Sequence, residues 1–391
     1  MKILIFFEKS SLKPIGGAAG YLYNLSSNLN YNVFEFLEGE ENQHKKKKLN
    51  LDELILPKSI KRLARDIAWR KRVINMLNGV EDRLINKEIN QYDAIHFHRT
   101  FDLYKCRKCL EGYRGKIILT SHCPKAPYLE IREDLISKRE YELHKKLYSK
   151  LQDIDIYAFN RADYIIFPCK EAEEPYYNTW KWYEENKLKL EPKKRYCVTG
   201  IVKKKIDRDR IEIRKELNIP DDAFVVSYVG RHNEVKGYPT FLGLWEKYKN
   251  NDKVYFLCCG KKGIYNEPKN PRWIEIGWTK NSQDYINASD VFILPNEQTY
   301  FDLVFLEVLS IGTPIIASYT GGNKFFKQYN GNGVFLYKNK ENLIQKLDEL
   351  LENRENLNDY RQNNITLFET NFNEKIFSEK YTKLMEELLK I

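Results

Sequence analysis

Two cations, Arg231 and Lys236, follow the apolar run VVSYVG and precede Gly237, giving the spacing G-R-x-x-x-x-K-G. Fixed positive charge at the carboxyl end of a strand can neutralise a diphosphate leaving group at the step where negative charge develops. Further on, Val291 to Gly322 reads VFILPNEQTYFDLVFLEVLSIGTPIIASYTGG. Asp302 is placed to cap a helix there, so that the helix's first amides favour a phosphate. Glu307, one turn into that helix, can accept a pair of hydrogen bonds from a diol such as ribose. In the first half, Gly16 and Gly17 follow the run KILIFF, where backbone can approach a ligand closely. His122 follows KIILTS in the same manner. His96 and His98 share one face of a strand, with Cys106 and Cys109 beyond them. These are legitimate zinc ligands, but a strand and a helix would have to converge and no second C-x-x-C exists. Plain counterparts stand beside each reading: surface cations, a capped helix with a surface glutamate, a βα turn, a structural histidine.

The elements that position these residues are repeats of one unit. VFIL meets Pro295, a polar loop leads to a run of helical spacing, Gly312 and Pro314 stop it, and PIIAS reads as the next buried strand. This is a piece of an open parallel sheet, which binds ligands outside the carboxyl ends of its strands. KILIFF, VFEFL, YDAIHFH, KIILTSHCP, RADYIIFPCKEA and RYCVTGIV supply strands of a first sheet, with a helix at Tyr21–Leu29. VVSYVG, VYFLCCG, WIEIGW, VFIL, PIIAS and VFLY supply a second, with a helix at Glu341–Leu351. The 391 residues therefore divide into a first domain over 1–200, a second domain over 201–373, and a final helix within 374–391, with Gly200 as the hinge.

Charge is unevenly placed: residues 1–200 hold 37 Lys and Arg against 28 Asp and Glu, whereas the remainder holds 28 against 27. Eleven of the bases fall within Lys45–Arg72. From Pro57 onward Ile60, Leu63, Ile67, Ala68, Val73, Ile74 and Leu77 recur at helical spacing, with Trp69 among them. This describes either a basic amphipathic helix for anionic lipid or a surface helix packing its apolar stripe on the sheet. No apolar run reaches the ~18 residues of a membrane span. MKILIFF reads as a strand rather than a signal peptide, and seven irregularly spaced cysteines suit a reducing cytoplasm. No nucleic-acid-binding motif accompanies the positive charge.

On the strength of G-R-x-x-x-x-K-G and of the segment ending in Glu307, the chain resembles the GT-B-fold retaining glycosyltransferases of the family-4 type, the glycosyl transferases group 1. That resemblance implies an α/β fold, GT-B, of two Rossmann-like domains facing across a central cleft, with the final helix (about Glu374–Leu389) returning to the first domain. It implies a nucleotide-sugar donor, UDP-sugar favoured, held by Arg231 and Lys236 on the diphosphate and Glu307 on the ribose. Gly277 and Trp278 would meet the base, Gly321 and Gly322 the sugar and β-phosphate, Gly16 and Gly17 the donor phosphates and acceptor. His122 would stabilise the sugar undergoing transfer, by same-face attack in which the leaving phosphate takes the acceptor proton, with neither cofactor nor metal. Thr299 stands where the family has the first of two glutamates, and Asp302 where it usually has glycine. The expected acceptor is a glycan, glycolipid or lipid-linked molecule in surface polysaccharide assembly, with the protein cytoplasmic or peripheral on the inner membrane face. The alternatives are a transferase acting on a protein or small molecule, and a non-catalytic GT-B subunit, which Thr299 favours.

Overall fold

In the computed structural model the residues described are 1–7, 12, 17–37, 57–79, 84 and 87–390. They form two compact units: residues 1–167 with 175–197 and 381–391, and residues 168–174 with 198–380.

The first unit holds a six-stranded parallel sheet of β1 (Ile3–Phe6), β2 (Phe34–Leu37), β3 (Ala94–Phe97), β4 (Lys116–Leu119), β5 (Tyr164–Phe167) and β6 (Lys194–Tyr196), in the order β2-β1-β3-β4-β5-β6. β1 and β3 are buried on both faces, which is why they read as continuous apolar runs rather than alternating ones. Ile3 registers with Phe34 on one side and Ala94 on the other. The strand order reverses between β1 and β3, so the ligand-binding crevice of this sheet falls at Phe7 and His98. The RYCVTGIV strand is shorter than its composition suggests: β6 ends at Tyr196, and Ile201 instead bridges to Asn373 within the second unit.

The second unit holds β7 (Phe224–Val229), β8 (Val254–Cys259), β9 (Trp273–Gly277), β10 (Val291–Leu294), β11 (Ile315–Ser318) and β12 (Val334–Tyr337), ordered β12-β11-β10-β7-β8-β9 and again all parallel. This is the doubly wound dinucleotide-fold order, and its reversal lies between β7 and β10. One face of the sheet packs Phe241, Trp245, Phe256 and Trp273 into a single aromatic core.

Two helices depart from expectation. The first starts at Ala18 rather than Tyr21, because Gly17, at φ 76°, turns the chain and its carbonyl accepts from Tyr21 N at 3.0 Å. The basic helix, Lys58–Asn78, does not lay one apolar stripe on the sheet. Trp69, Val73, Met76 and Leu77 pack on Tyr148, Leu151 and Ile154 of the helix Lys145–Arg161. Buried Asp66 accepts from Ser137 N (3.0 Å) and Oγ (2.6 Å), and Arg70 forks onto Glu140 at 2.7 Å through both nitrogens. Ile60, Leu63, Ile67 and Ile74 face solvent, 39–57% exposed. Periodicity identified residues sharing a helix; the structure splits them into two faces. Lys45–Lys48 lie outside the described residues.

The final helix runs Glu374–Leu389. Its residues from Tyr381 belong to the first unit, where Tyr381 is fully buried against Phe34. Among the described residues no helix is long and apolar enough to cross a membrane, and no disulfide joins the seven cysteines.

Candidate functional site

The reversal point of the second sheet is where its charged residues gather. The chain leaves β7 through Gly230 and Arg231 and enters the helix Tyr238–Tyr248 through Gly237, which is left-handed at φ 67°. A Cβ at Gly237 would stand 1.6 Å from the Pro295 carbonyl oxygen, so this turn reaches the end of β10 only because position 237 has no side chain. That approach brings Lys236 onto Asp302 as an ion pair. Asp302 also accepts from Asn296 Nδ2 at 2.8 Å and caps the helix Leu303–Ile311 through Val304 N at 3.3 Å. Burial opposes ionisation of Asp302, yet Lys236, Asn296 and the helix amide together hold its carboxyl below the usual range. Lys236 is thus held in one place by a residue expected only to cap a helix. Arg231 is exposed and makes no ion pair among the described residues.

One turn into the same helix, Glu307 pairs with Lys204 at 2.9 Å. Burial raises its carboxyl and Lys204 partly offsets this. Thr299 is buried, and Gly322 N donates to its carbonyl at 3.3 Å. A Cβ at Gly321 would fall 2.0 Å from that carbonyl, so the 299–301 segment and the Gly321–Gly322 turn form one closely apposed pair of backbones. The Gly321 amide donates to Glu174 Oε1 at 3.2 Å, and Lys324 pairs with the other oxygen. A carboxylate already sits at the amide expected to meet phosphate. Gly277 ends β9 beside open space, and Trp278 is 70% exposed.

The first sheet carries a different set. Buried His96 bonds to Tyr381 Oη (2.7 Å) and Thr120 Oγ1 (2.9 Å). Buried His98 meets His122 Nε2 through Nδ1 at 2.9 Å, and its own Nε2 has no hydrogen-bond partner among the described residues. His122 is held at φ 59°, an uncommon conformation for a residue with a side chain, with its ring 4.6 Å from that of Tyr21. Burial lowers the basicity of all three, so they are neutral near pH 7. Gly17 borders open space and Gly16 lies outside the described residues.

The imidazole–thiol grouping read from H-x-H and C-x-x-C does not form, because His96 and His98 are committed to Thr120, Tyr381 and His122. Among the described residues, the one His/Cys/acid group of three or more whose ligand atoms lie within 4.8 Å of one another is His232, Cys258 and Glu275. Lys204, Asn296 and Glu174 are the further residues at the site that sequence reading missed. The first and last lie far along the chain from their partners, and no local spacing announces them.

Residues 209–366 match the glycosyl transferases group 1 family. The O-antigen biosynthesis glycosyltransferase WclY of Escherichia coli is 24% identical over 245 residues, which are 60% of this chain and 63% of that protein. For the D-inositol 3-phosphate glycosyltransferase of Corynebacterium efficiens, 28% identical, the match covers 30% of this chain and 31% of the relative. The chain therefore spans less than two thirds of these relatives' lengths. Sucrose-phosphate synthase of Thermosynechococcus elongatus superposes over 100% of both chains with a TM-score of 0.66 at 15% identity. Anabaena HepE, solved in complex with UDP-glucose, does so over 99% of this chain and 100% of its own with a TM-score of 0.61 at 13% identity. The chain carries a glycosyl transferases group 1 domain, and its fold is GT-B.

Proposed function

We propose that the protein is a retaining glycosyltransferase that moves a sugar from a nucleotide-diphosphate sugar, UDP-sugar favoured, to a glycan or lipid-linked acceptor in surface polysaccharide assembly. The observation that carries this reading is the fixed Lys236, held by Asp302 at the reversal of the second sheet, with exposed Arg231 in the same turn. Together they supply positive charge for a departing diphosphate without a metal. Glu307 takes the ribose hydroxyls, exchanging its Lys204 contact for them, and Gly277 and Trp278 receive the base. Gly321 and Gly322 offer amides to the β-phosphate and sugar, displacing Glu174. In the first unit, Gly17 serves the acceptor, and neutral His122 orients the sugar as positive charge builds on its ring. The leaving phosphate takes the acceptor proton, so no protein base is required. That Anabaena HepE has been solved in complex with UDP and with UDP-glucose supports the choice of nucleotide.

The acceptor assignment rests on the helix Lys58–Asn78. Its exposed Ile60, Leu63, Ile67 and Ile74 lie on a helix that also exposes Lys58, Arg62, Lys71 and Arg72. Such a surface complements anionic lipid at about 1 kcal/mol per base, which supports a peripheral position on the inner membrane face as part of this proposal. Sedimentation with anionic vesicles that falls with salt, and is absent with neutral vesicles, is the expected result.

A panel of UDP-, GDP-, ADP- and dTDP-sugars, read by thermal shift and then by donor hydrolysis, tests the reading. A ligand at 100 times its dissociation constant adds about 2.7 kcal/mol. Stabilisation by one nucleotide together with turnover supports a transferase; stabilisation without turnover supports a non-catalytic GT-B subunit, the reading favoured by Glu174 on the Gly321 amide. No stabilisation by any of the four overturns both.

A further inference from the structure

Outside the phosphate-facing set, three side chains converge at the carboxyl ends of β7, β8 and β9. Cys258 and Glu275 are register partners on adjacent strands, and His232 closes over them from the turn after β7. Cys258 Sγ lies 3.4 Å from His232 Nε2, and His232 Nε2 lies 3.6 Å from Glu275 Oε1. Cys258 is fully buried, His232 is 2% exposed and the Glu275 side chain 11%. Neither Glu275 oxygen has a hydrogen-bond partner of ordinary geometry among the described residues, although the Cys258 thiol and the Gly277 amide both favour its ionised form.

An apolar core has no use for this arrangement. A carboxylate removed from water without partners costs several kcal/mol, and burial pushes the Glu275 carboxyl up to about 7 and the Cys258 thiol well above its ordinary value. A divalent cation at the common focus reverses that balance. Zinc bonds of about 2.3 Å to sulfur and about 2.0–2.2 Å to nitrogen and oxygen put tetrahedral ligand atoms roughly 3.3–3.6 Å apart. The distances on either side of Nε2 match this. The imidazole plane is fixed, as a metal ligand requires: the Tyr238 ring stacks on it at 4.0 Å and 4°. The backbone is fixed too, since His232 N donates to Lys261 O at 3.1 Å and a Cβ at Gly263 would stand 1.8 Å from His232 O.

We propose that His232, Cys258 and Glu275 bind one transition-metal dication, zinc by the chemistry of the donors, through Nε2, thiolate and carboxylate, with the fourth position left to water. Binding releases the thiol proton, and any carboxyl proton, to solvent; no redox step is involved. The ion ties the turn that carries Arg231 and Lys236 to the ends of β8 and β9. It sets the shape of that turn and takes no part in the transfer itself, so the proposal stands independently of the enzymatic reading.

Cobalt(II) makes the test optical. Full-length protein stripped with chelator and titrated with cobalt(II) is expected to bind one equivalent, with a near-ultraviolet thiolate-to-cobalt charge-transfer band and the visible bands of a tetrahedral site, all lost on adding zinc(II). Cys258→Ser is expected to abolish the charge-transfer band, while Cys259→Ser, next to it on the same strand, retains it. Glu275→Gln keeps the volume and is expected to weaken cobalt binding at least tenfold with the charge-transfer band preserved at saturation, which serves if Cys258→Ser does not fold. Absence of stoichiometric cobalt or zinc binding by the wild-type chain overturns the proposal. So does a charge-transfer band that survives in folded Cys258→Ser, or unchanged affinity in Glu275→Gln.

Discussion

The carboxyl edges of the two sheets share an architecture and differ in electrostatics. On the first, the central cluster of His96, His98 and His122 is neutral and bonds to Thr120, Tyr381 and within itself, with the Arg99–Asp102 and Lys125–Glu133 pairs to its side. On the second, charge is fixed in pairs: Lys236 with Asp302, Lys204 with Glu307, Lys324 with Glu174. At the opposite end of that sheet Asp290 is gripped by Arg210 (2.5 Å), Arg214 (2.7 Å) and Val225 N (2.7 Å). Neutral donors and acceptors suit uncharged hydroxyls, whereas preset charges suit a diphosphate. Two sheets built alike can thus be specialised through side chains at strand ends alone.

Four measurements can break or sharpen this contrast. The largest effect is expected in the charged unit. Arg214→Ala leaves buried Asp290 with Arg210 as its remaining ion-pair partner, and should cost about 3–5 kcal/mol, nearer the lower figure because Arg210 stays. Urea denaturation monitored in the second unit reads it, and a loss below 1 kcal/mol would mean that its charges are not what holds it.

The neutral histidine cluster should instead fail in acid. Burial depresses the basicity of His96 and His98, so the unfolded chain takes up protons first, at about pH 6.5. Stability declines as the pH falls below that value, by roughly 1.4 kcal/mol per unit for each histidine, and buried Asp155, whose carboxyl is raised to about 7, offsets the share of one of them. Protection factors in β3 and β4, that is exchange rates corrected for the pH dependence of intrinsic exchange, should fall between about pH 6.5 and 5, and an unchanged protection factor contradicts the assignment of neutral histidines.

Lys236→Ala is next. Charge-assisted hydrogen bonds contribute about 1.5–3 kcal/mol, so donor-dependent turnover should fall roughly tenfold or more. Unchanged kinetics in both Arg231→Ala and Lys236→Ala remove the basis for the catalytic reading. The smallest effect is Gly17→Ala, where a Cβ meets open space and only the backbone, at φ 76° and ψ -153°, is strained, about 1–3 kcal/mol. Gly237→Ala, at a left-handed position, adds a collision with Pro295 and should lose much more. Equal melting temperatures for the two variants would show that the close approach at position 237 relaxes easily.

What was legible in the sequence was local. The Arg231–Gly237 turn, the Asp302 cap and the final helix are each written within a few residues, since strand ends, caps and helix periods are short-range signals. What was not legible depended on register or on which face is covered. Cys258 and Glu275 meet only because β8 and β9 pair in one register, and His232 joins them from a third element. H-x-H and C-x-x-C suggested proximity from spacing, but Tyr381 and Thr120 claimed His96. In the helix Lys58–Asn78, periodicity could not say that Val73 is inside and Leu63 outside, because the covering helix Lys145–Arg161 starts 72 residues beyond Val73.

Tyr381 has one more consequence, for the order in which the molecule can be made. It is fully buried among residues translated much earlier, in contact with Phe34 and His96. A ribosome adding about 5–20 residues per second reaches position 381 roughly ten to forty seconds after leaving Cys197. Throughout that interval the first sheet has its six strands but lacks a ring of its core, and the second unit, though synthesised later, can be the first to finish.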